Sequence, residues 1–153
     1  KYSKKIFIIH GHDESMKESV ARLLEKLGLE PIILHEQPNE GKTIIEKFEK
    51  HSEVGFAIAL FSPDDKGFSV KDGEENVKTR ARQNVILETG YFFGRLGRNR
   101  VIILFKEDEN FEFPTDYQGV IYISFDKNEA WKLNIIKEMN SQGYNLDANL
   151  LLK

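Results

Sequence analysis

The sequence predicts a doubly wound α/β domain with about five parallel strands. Three observations carry this reading. Short apolar runs alternate with segments of helical spacing from one end of the chain to the other. The runs are apolar at successive positions, as in strands covered on both faces. Polar turns at residues 10–13, 35–42 and 62–65 each follow such a run. With right-handed crossovers, these turns share one rim, where ligands bind in open α/β sheets.

The elements follow in order. Residues 6–9 (Ile-Phe-Ile-Ile) form a buried first strand that ends at His10-Gly11-His12-Asp13. Asp13 is an N-cap for a helix carrying Val20, Leu23, Leu24 and Leu27, and Gly28 stops it. Residues 31–34 form the second strand, and residues 35–42, with Pro38 and Gly41, form a loop. Thr43 opens a second helix through Ile44, Ile45 and Phe48. Residues 56–61 form a third, wholly apolar strand halted by Ser62-Pro63-Asp64-Asp65. Residues 66–78 are charged and read as a mobile loop. Helical spacing resumes over residues 80–96 and ends at Gly97. Residues 101–105 and 120–125 form the fourth and fifth strands, with an irregular segment, 106–118, between them. A closing helix over 128–140 carries Trp131, Leu133, Ile136 and Met139, where core packing explains Trp131 better than any site role. One domain over residues 1–143 is expected, with 144–153 as a tail or the start of a linker.

Composition narrows the function classes. The chain has 153 residues, enough for one domain that buries roughly 70% of its unfolded surface. Hydrophobic residues at 40% and charged residues at 31% fit a soluble globular chain rather than a disordered one. A net charge of −3 gives no electrostatic case for a nucleic-acid polymer or an anionic membrane as partner. Without cysteine there is no disulfide, thiolate nucleophile or thiolate metal site, and a cytoplasmic location is compatible. The Lys-rich start shows no cleavage pattern, so no signal peptide is expected.

Residues 82–96 carry the most chemistry. Val85, Ile86, Leu87, Phe92, Phe93 and Leu96 spread around most of a helix, which predicts a largely buried one. Asn84, Glu88, Tyr91 and Arg95 fall on one narrow polar stripe. Burial raises the pKa of a carboxylate in such a seam, whereas Arg82 or Arg95 lowers it. Two readings stay open from spacing alone: a structural Glu88–Arg95 seam, and a functional carboxylate.

Other residues carry weaker signals. Gly11 lets a ligand approach the backbone, and the helix start at 13–15 offers N–H groups to phosphate, although an ordinary strand-to-helix turn needs the same residues. His10 and His12 can touch ribose or phosphate, and two histidines without further ligands give no case for a metal. Ser62 and Asp64 either meet a ligand or cap the next segment. Arg80 and Arg82 either meet a pyrophosphate or stay solvated. Gly41-Lys42-Thr43 is not a Walker A loop, because Glu36 stands where that motif needs its first glycine.

Several stretches together resemble the bacterial TIR-like, predicted nucleotide-binding family. They are Ile6-Phe7-Ile8-Ile9-His10-Gly11-His12-Asp13-Glu14, residues 34–48 around Gln37-Pro38-Asn39-Glu40-Gly41-Lys42-Thr43, Phe61-Ser62-Pro63-Asp64-Asp65, and Arg80-Ala81-Arg82-Gln83-Asn84-Val85-Ile86-Leu87-Glu88-Thr89-Gly90. The resemblance spans residues 5–143. It implies a flavodoxin-like, five-stranded parallel sheet flanked by helices, the TIR fold. Members occur fused to cyclic-nucleotide sensors, STING-type sensors included, in antiphage systems, and resemble TIR effectors that cleave NAD⁺.

The resemblance implies that Glu88 is the catalytic glutamate. The substrate-binding set expected around it is His10, Gly11, His12, Asp13, Ser62, Arg82 and Asn84. Gln37, Pro38, Asn39, Gly41 and Lys42 fall in the BB-type loop, which gates the site and mediates assembly. Eukaryotic TIR enzymes usually carry Ser or Tyr after the first strand, where this chain has His10-Gly11-His12, so their ribose and phosphate contacts do not transfer. The expected activity is NAD⁺ glycohydrolysis in abortive-infection signalling, with NAD⁺ as substrate rather than cofactor and no metal. Activation by self-association into oligomers or filaments and a fused or associated cyclic-nucleotide sensor are expected too. Two other readings stand beside it: a non-enzymatic TIR assembly module, and an enzyme like the nucleoside deoxyribosyltransferases. A response regulator is disfavoured because Ser62 stands where its phosphoacceptor Asp belongs.

Overall fold

A computed structural model describes residues 2–114 and 119–153, and of Ile44 the backbone. The end of the irregular segment, 115–118, lies outside the described residues. Five parallel strands form the main sheet: β1 (Lys5–Ile9), β2 (Glu30–Ile32), β3 (Phe56–Phe61), β6 (Val101–Phe105) and β8 (Ile121–Ser124). Their order is β2-β1-β3-β6-β8, the flavodoxin-like arrangement expected. Proline is tolerated in β2 because β2 is an edge strand and Pro31 has no N–H to give a ladder. The second strand is thus shorter than expected, and residues Leu34–Glu36 turn in a single 3₁₀ turn.

Period-two geometry divides the core into two layers. Ile6, Ile8, Phe56, Ile58, Leu60, Ile102 and Leu104 face α1 (Glu14–Lys26) and α4 (Ala130–Ser141). Phe7, Ile9, Ala57, Ala59, Phe61, Val101 and Ile103 face α3 (Gln83–Leu96), with Phe48 of α2 (Ile44–Lys50) packed on the same layer. Trp131 is buried in the first layer as expected.

Local signals set the helix ends. Asp13 accepts from the Met16 N–H at 3.0 Å. Thr43 and Glu46 close a capping box, with 3.1 and 3.0 Å bonds. At the start of α4, Asp126 accepts from the Ala130 and Trp131 N–H groups at 3.0 and 2.9 Å.

Three expectations change. Residues 66–78 are not simply a loop. Their ends pair as β4 (Asp65–Gly67) and β5 (Lys78–Arg80), and β7 (Phe111–Glu112) joins β5 in a second, three-stranded sheet. The helix over 80–96 starts later, at Gln83, because Arg80 belongs to β5. It is also not largely buried: Val85, Thr89 and Phe92 form its buried face, while Leu87 is 74% exposed. Past Gly143, the chain packs back onto the core through Tyr144, Leu146, Ala148 and Leu151. The Tyr144 hydroxyl donates to the Ser3 carbonyl at 2.9 Å. No helix among the described residues is long and apolar enough to cross a membrane.

Candidate functional site

The three polar turns do meet on one rim. His10, after β1, lies 3.1 Å from His35 in the turn after β2. The His12 N–H donates to Asp64 at 3.1 Å in the turn after β3. Beside them, α3 presents Asn84 and Glu88. Together Ile8, His10, Leu34, His35, Asn39, Lys42, Lys47, Arg82, Asn84 and Glu88 line a pocket of about 500 Å³. That size suits a small-molecule site.

Glu88 is the acidic residue of this pocket. Burial pushes its carboxyl pKa up to about 7, and Arg82 is the one charge opposing that shift. No ion pair or hydrogen bond holds its side chain among the described residues. The structural Glu88–Arg95 seam is not formed. Arg95 instead donates to Glu53 at 2.7 Å and to the Tyr91 hydroxyl at 3.2 Å, and Tyr91 lies 3.2 Å from the Ser52 hydroxyl. The polar stripe therefore splits. Its far half is a structural network, and its near half, Asn84 and Glu88, opens on the pocket.

Three cations, Lys42, Lys47 and Arg82, line the same pocket. Lys47 is buried and donates to Asn39 at 2.9 Å. Lys42 pairs with Glu40 at 3.4 Å, and Lys50 also pairs with Glu40. The loop tip is a tight turn in which the Lys42 N–H donates to the Asn39 carbonyl at 2.8 Å. Glu40 and Gly41 both take positive φ there, 50° and 72°. That is the pattern of a type I′ turn, for which glycine is well suited. Gly41 thus serves the loop's geometry.

Of the expected binding residues, His10, Arg82 and Asn84 line the pocket, as do Asn39 and Lys42 of the loop set. Gly11, His12, Asp13 and Ser62, and Gln37, Pro38 and Gly41, stand outside its lining. Several have other work. Ser62 is buried and donates to Asp64 at 2.9 Å. Asp13 caps α1 and pairs with Lys106. Gly11 is needed because a Cβ there would lie 1.9 Å from Asp64 Oδ2. Arg80 sits near Glu112, 3.9 Å away, in the second sheet.

Sequence reasoning missed His35 and Lys47 as pocket walls. Lys47 sits one turn into α2 beyond the capping box, a position that reads as solvated surface. No group of three potential metal-ligating side chains occurs among the described residues.

Comparison with known proteins agrees with the motifs. Residues 5–127 match the family model described as CAP12/Pycsar effector protein, TIR domain. The chain is 46% identical to the uncharacterized protein YuaY of Escherichia coli (strain K12) over 98% of its own length and 49% of YuaY. It is 41% identical to protein tirC of Dictyostelium discoideum over 79% of its length and 64% of tirC. With the Pycsar effector protein PaPycTIR of Pseudomonas aeruginosa it shares 42% identity over 50% of its length and 24% of that protein. The chain thus spans about half of YuaY and a smaller share of the Pycsar effector. The chain belongs to the CAP12/Pycsar effector TIR domain family.

Proposed function

We propose that this domain is an NAD⁺ glycohydrolase, an effector of antiphage signalling that is switched on by self-association under a cyclic-nucleotide-sensing partner. The observation that carries the reading is Glu88: a desolvated carboxylate with no ion-pair partner among the described residues, in a pocket that also holds Lys42, Lys47 and Arg82. Three cations against one carboxylate suit a ligand whose pyrophosphate is dianionic. The carboxylate suits the ligand's cationic end.

Nicotinamide in NAD⁺ leaves as a neutral base without prior protonation. The bond from its ring nitrogen to ribose C1′ breaks, and the electron pair stays on nitrogen. Positive charge grows on the ribose, where the ionised Glu88 stabilises it. Water adds at C1′ and releases one proton. A desolvated carboxylate acts more strongly on that charge than a hydrated one, because the surroundings screen it less.

The names of relatives support the setting. PaPycTIR and BcPycTIR (Burkholderia cepacia) are called Pycsar effectors, and the family model carries that description too. The test is nicotinamide release from NAD⁺ by the domain carrying an inducible oligomerisation tag, beside its Glu88→Gln variant. Release that needs clustering and disappears in the variant supports the reading. Folded oligomers that leave NAD⁺ intact overturn it in favour of a recruitment module. A deoxynucleoside substrate run in parallel separates the deoxyribosyltransferase-like alternative.

A further inference from the structure

One buried charge has no place in the chemistry above. Lys17 lies on α1, and its side chain is 3% exposed. It falls among Met16, Val20, Ala21 and Leu24 on the buried face of that helix. Its ammonium meets Glu14 at 2.7 Å and lies 3.7 Å from both Glu18 and Glu36. Burial alone lowers the pKa of this group, but Glu14, with Glu36 and Glu18 behind it, outweighs burial and raises it. Lys17 is therefore a fixed cation.

From it a hydrogen-bond line runs into the pocket. Lys17 Nζ lies 3.3 Å from His35 Nε2, His35 Nδ1 lies 3.1 Å from His10 Nε2, and His10 Nδ1 lies 3.0 Å from the Gly11 carbonyl. The two ends of the line fix its direction. An ammonium only donates, so His35 Nε2 accepts. The neutral His35 then carries its proton on Nδ1 and donates to His10 Nε2. A carbonyl only accepts, so His10 also carries its proton on Nδ1. Protonating either ring would set one N–H against another donor. Burial, with the Lys17 charge, accordingly lowers the pKa of His10 despite the Gly11 bond.

We propose that Lys17 is a positioning residue for the pocket: through His35 it fixes the tautomers of both imidazoles and holds the start of the 34–42 loop against the end of β1. All four ring nitrogens are then committed. His10 and His35 form a neutral wall beside Glu88, without a free nitrogen to act as general base or metal ligand. The inference rests on the NAD⁺ reading only for its kinetic consequence.

The test is long-range ¹H–¹⁵N correlation of the histidine rings in the whole domain, with His12 and His51 as references outside the line. A free neutral imidazole prefers the proton on Nε2, so the expected Nδ1–H form at both His10 and His35 is diagnostic. An Nε2–H form at either one in the wild-type protein overturns the proposal, and this needs no variant to fold. In Lys17→Met, His35 is expected to lose its single tautomer, and unchanged ring shifts overturn the role of Lys17. The same variant should lose on the order of tenfold in kcat/KM for NAD⁺ as the wall loosens. Wild-type protein that shows both Nδ1–H forms yet leaves NAD⁺ intact sinks the NAD⁺ reading alone. NAD⁺ cleavage with the wrong tautomers sinks the positioning role alone.

Discussion

Arg95 directs its guanidinium to Glu53, 2.7 Å away, rather than back along α3 to Glu88. Glu88 lies on the same stripe of α3, about two turns earlier. The choice has an electrostatic consequence. The exposed Glu53 is neutralised where it matters little, because a surface pair of this kind contributes about 0–1 kcal/mol. Glu88 keeps a desolvation cost that Arg82 offsets only in part. A carboxylate maintained at such a cost is a functional candidate.

Glu88→Gln should therefore separate stability from activity. The folded pKa of Glu88 is raised from 4.5 to about 7. The neutral acid is favoured in the fold, so this group does not cost stability below the unfolded pKa. Its cost grows as pH rises from the unfolded value of 4.5 and is complete above the folded value of about 7. At about pH 8 the variant should be more stable by on the order of 3 kcal/mol. At about pH 4 the gain should vanish. Thermal melts at the two pH values check this, and equal melting temperatures at about pH 8 refute the unpaired carboxylate. Turnover of NAD⁺ should fall roughly a hundredfold or more.

The sequence exposed the sheet more completely than the site, for a physical reason. Apolar runs such as 56–61 are buried on both faces, and that burial is written in each residue. The helix stripe was legible too, because helix geometry alone puts Asn84 and Glu88 on one line. Which partner Arg95 takes depends on the turn before β3, where Glu53 sits, and no spacing on α3 encodes that. His35 and Lys17 joined the site by the same route, through packing of β2 against β1. Lys17 did leave a signal: it is a charge in the middle of the buried stripe of α1. The second sheet was hidden because its strands are two or three residues long and largely polar.

The pH profile follows from the same carboxylate. If NAD⁺ is the substrate as proposed, the ionised form is the one that would stabilise positive charge on the ribose, so kcat/KM should rise with pH through about 7. Arg82 opposes the shift, so Arg82→Ala should move the rise to higher pH. Steady-state nicotinamide release across the neutral range measures both. A flat wild-type profile, or a rise displaced to lower pH in the variant, removes Glu88 as the titrating group.

Gly11→Ala should destabilise the rim without touching Glu88. The added methyl would sit 1.9 Å from Asp64 Oδ2, and Asp64 is held there by the His12 N–H and the Ser62 hydroxyl. A clash against a fixed group costs about 1–3 kcal/mol. Asp64→Ala makes room for the methyl but loses both bonds. The double variant should therefore be more stable than the sum of the two single losses, with a coupling of about 1 kcal/mol or more. Denaturant unfolding of the four proteins gives this directly. Strict additivity would show that the glycine is not needed for this approach.

Lys42→Met should weaken binding while sparing the chemical step. Lys42 lines the pocket from the loop tip, and its Glu40 partner is itself shared with Lys50, so part of the Lys42 charge remains for a ligand. A phosphate interaction that is equal in ground and transition states raises KM and leaves kcat alone. A rise of about tenfold in KM corresponds to roughly 1.4 kcal/mol, a reasonable amount for one partly exposed charge on a phosphate. Because the contact is exposed, the difference between variant and wild type should shrink as salt rises. Initial rates over a range of NAD⁺ and salt concentrations test both parts. A fall in kcat with KM unchanged would instead place Lys42 beside the reacting bond, and an effect insensitive to salt would assign it to holding the loop rather than to meeting the pyrophosphate.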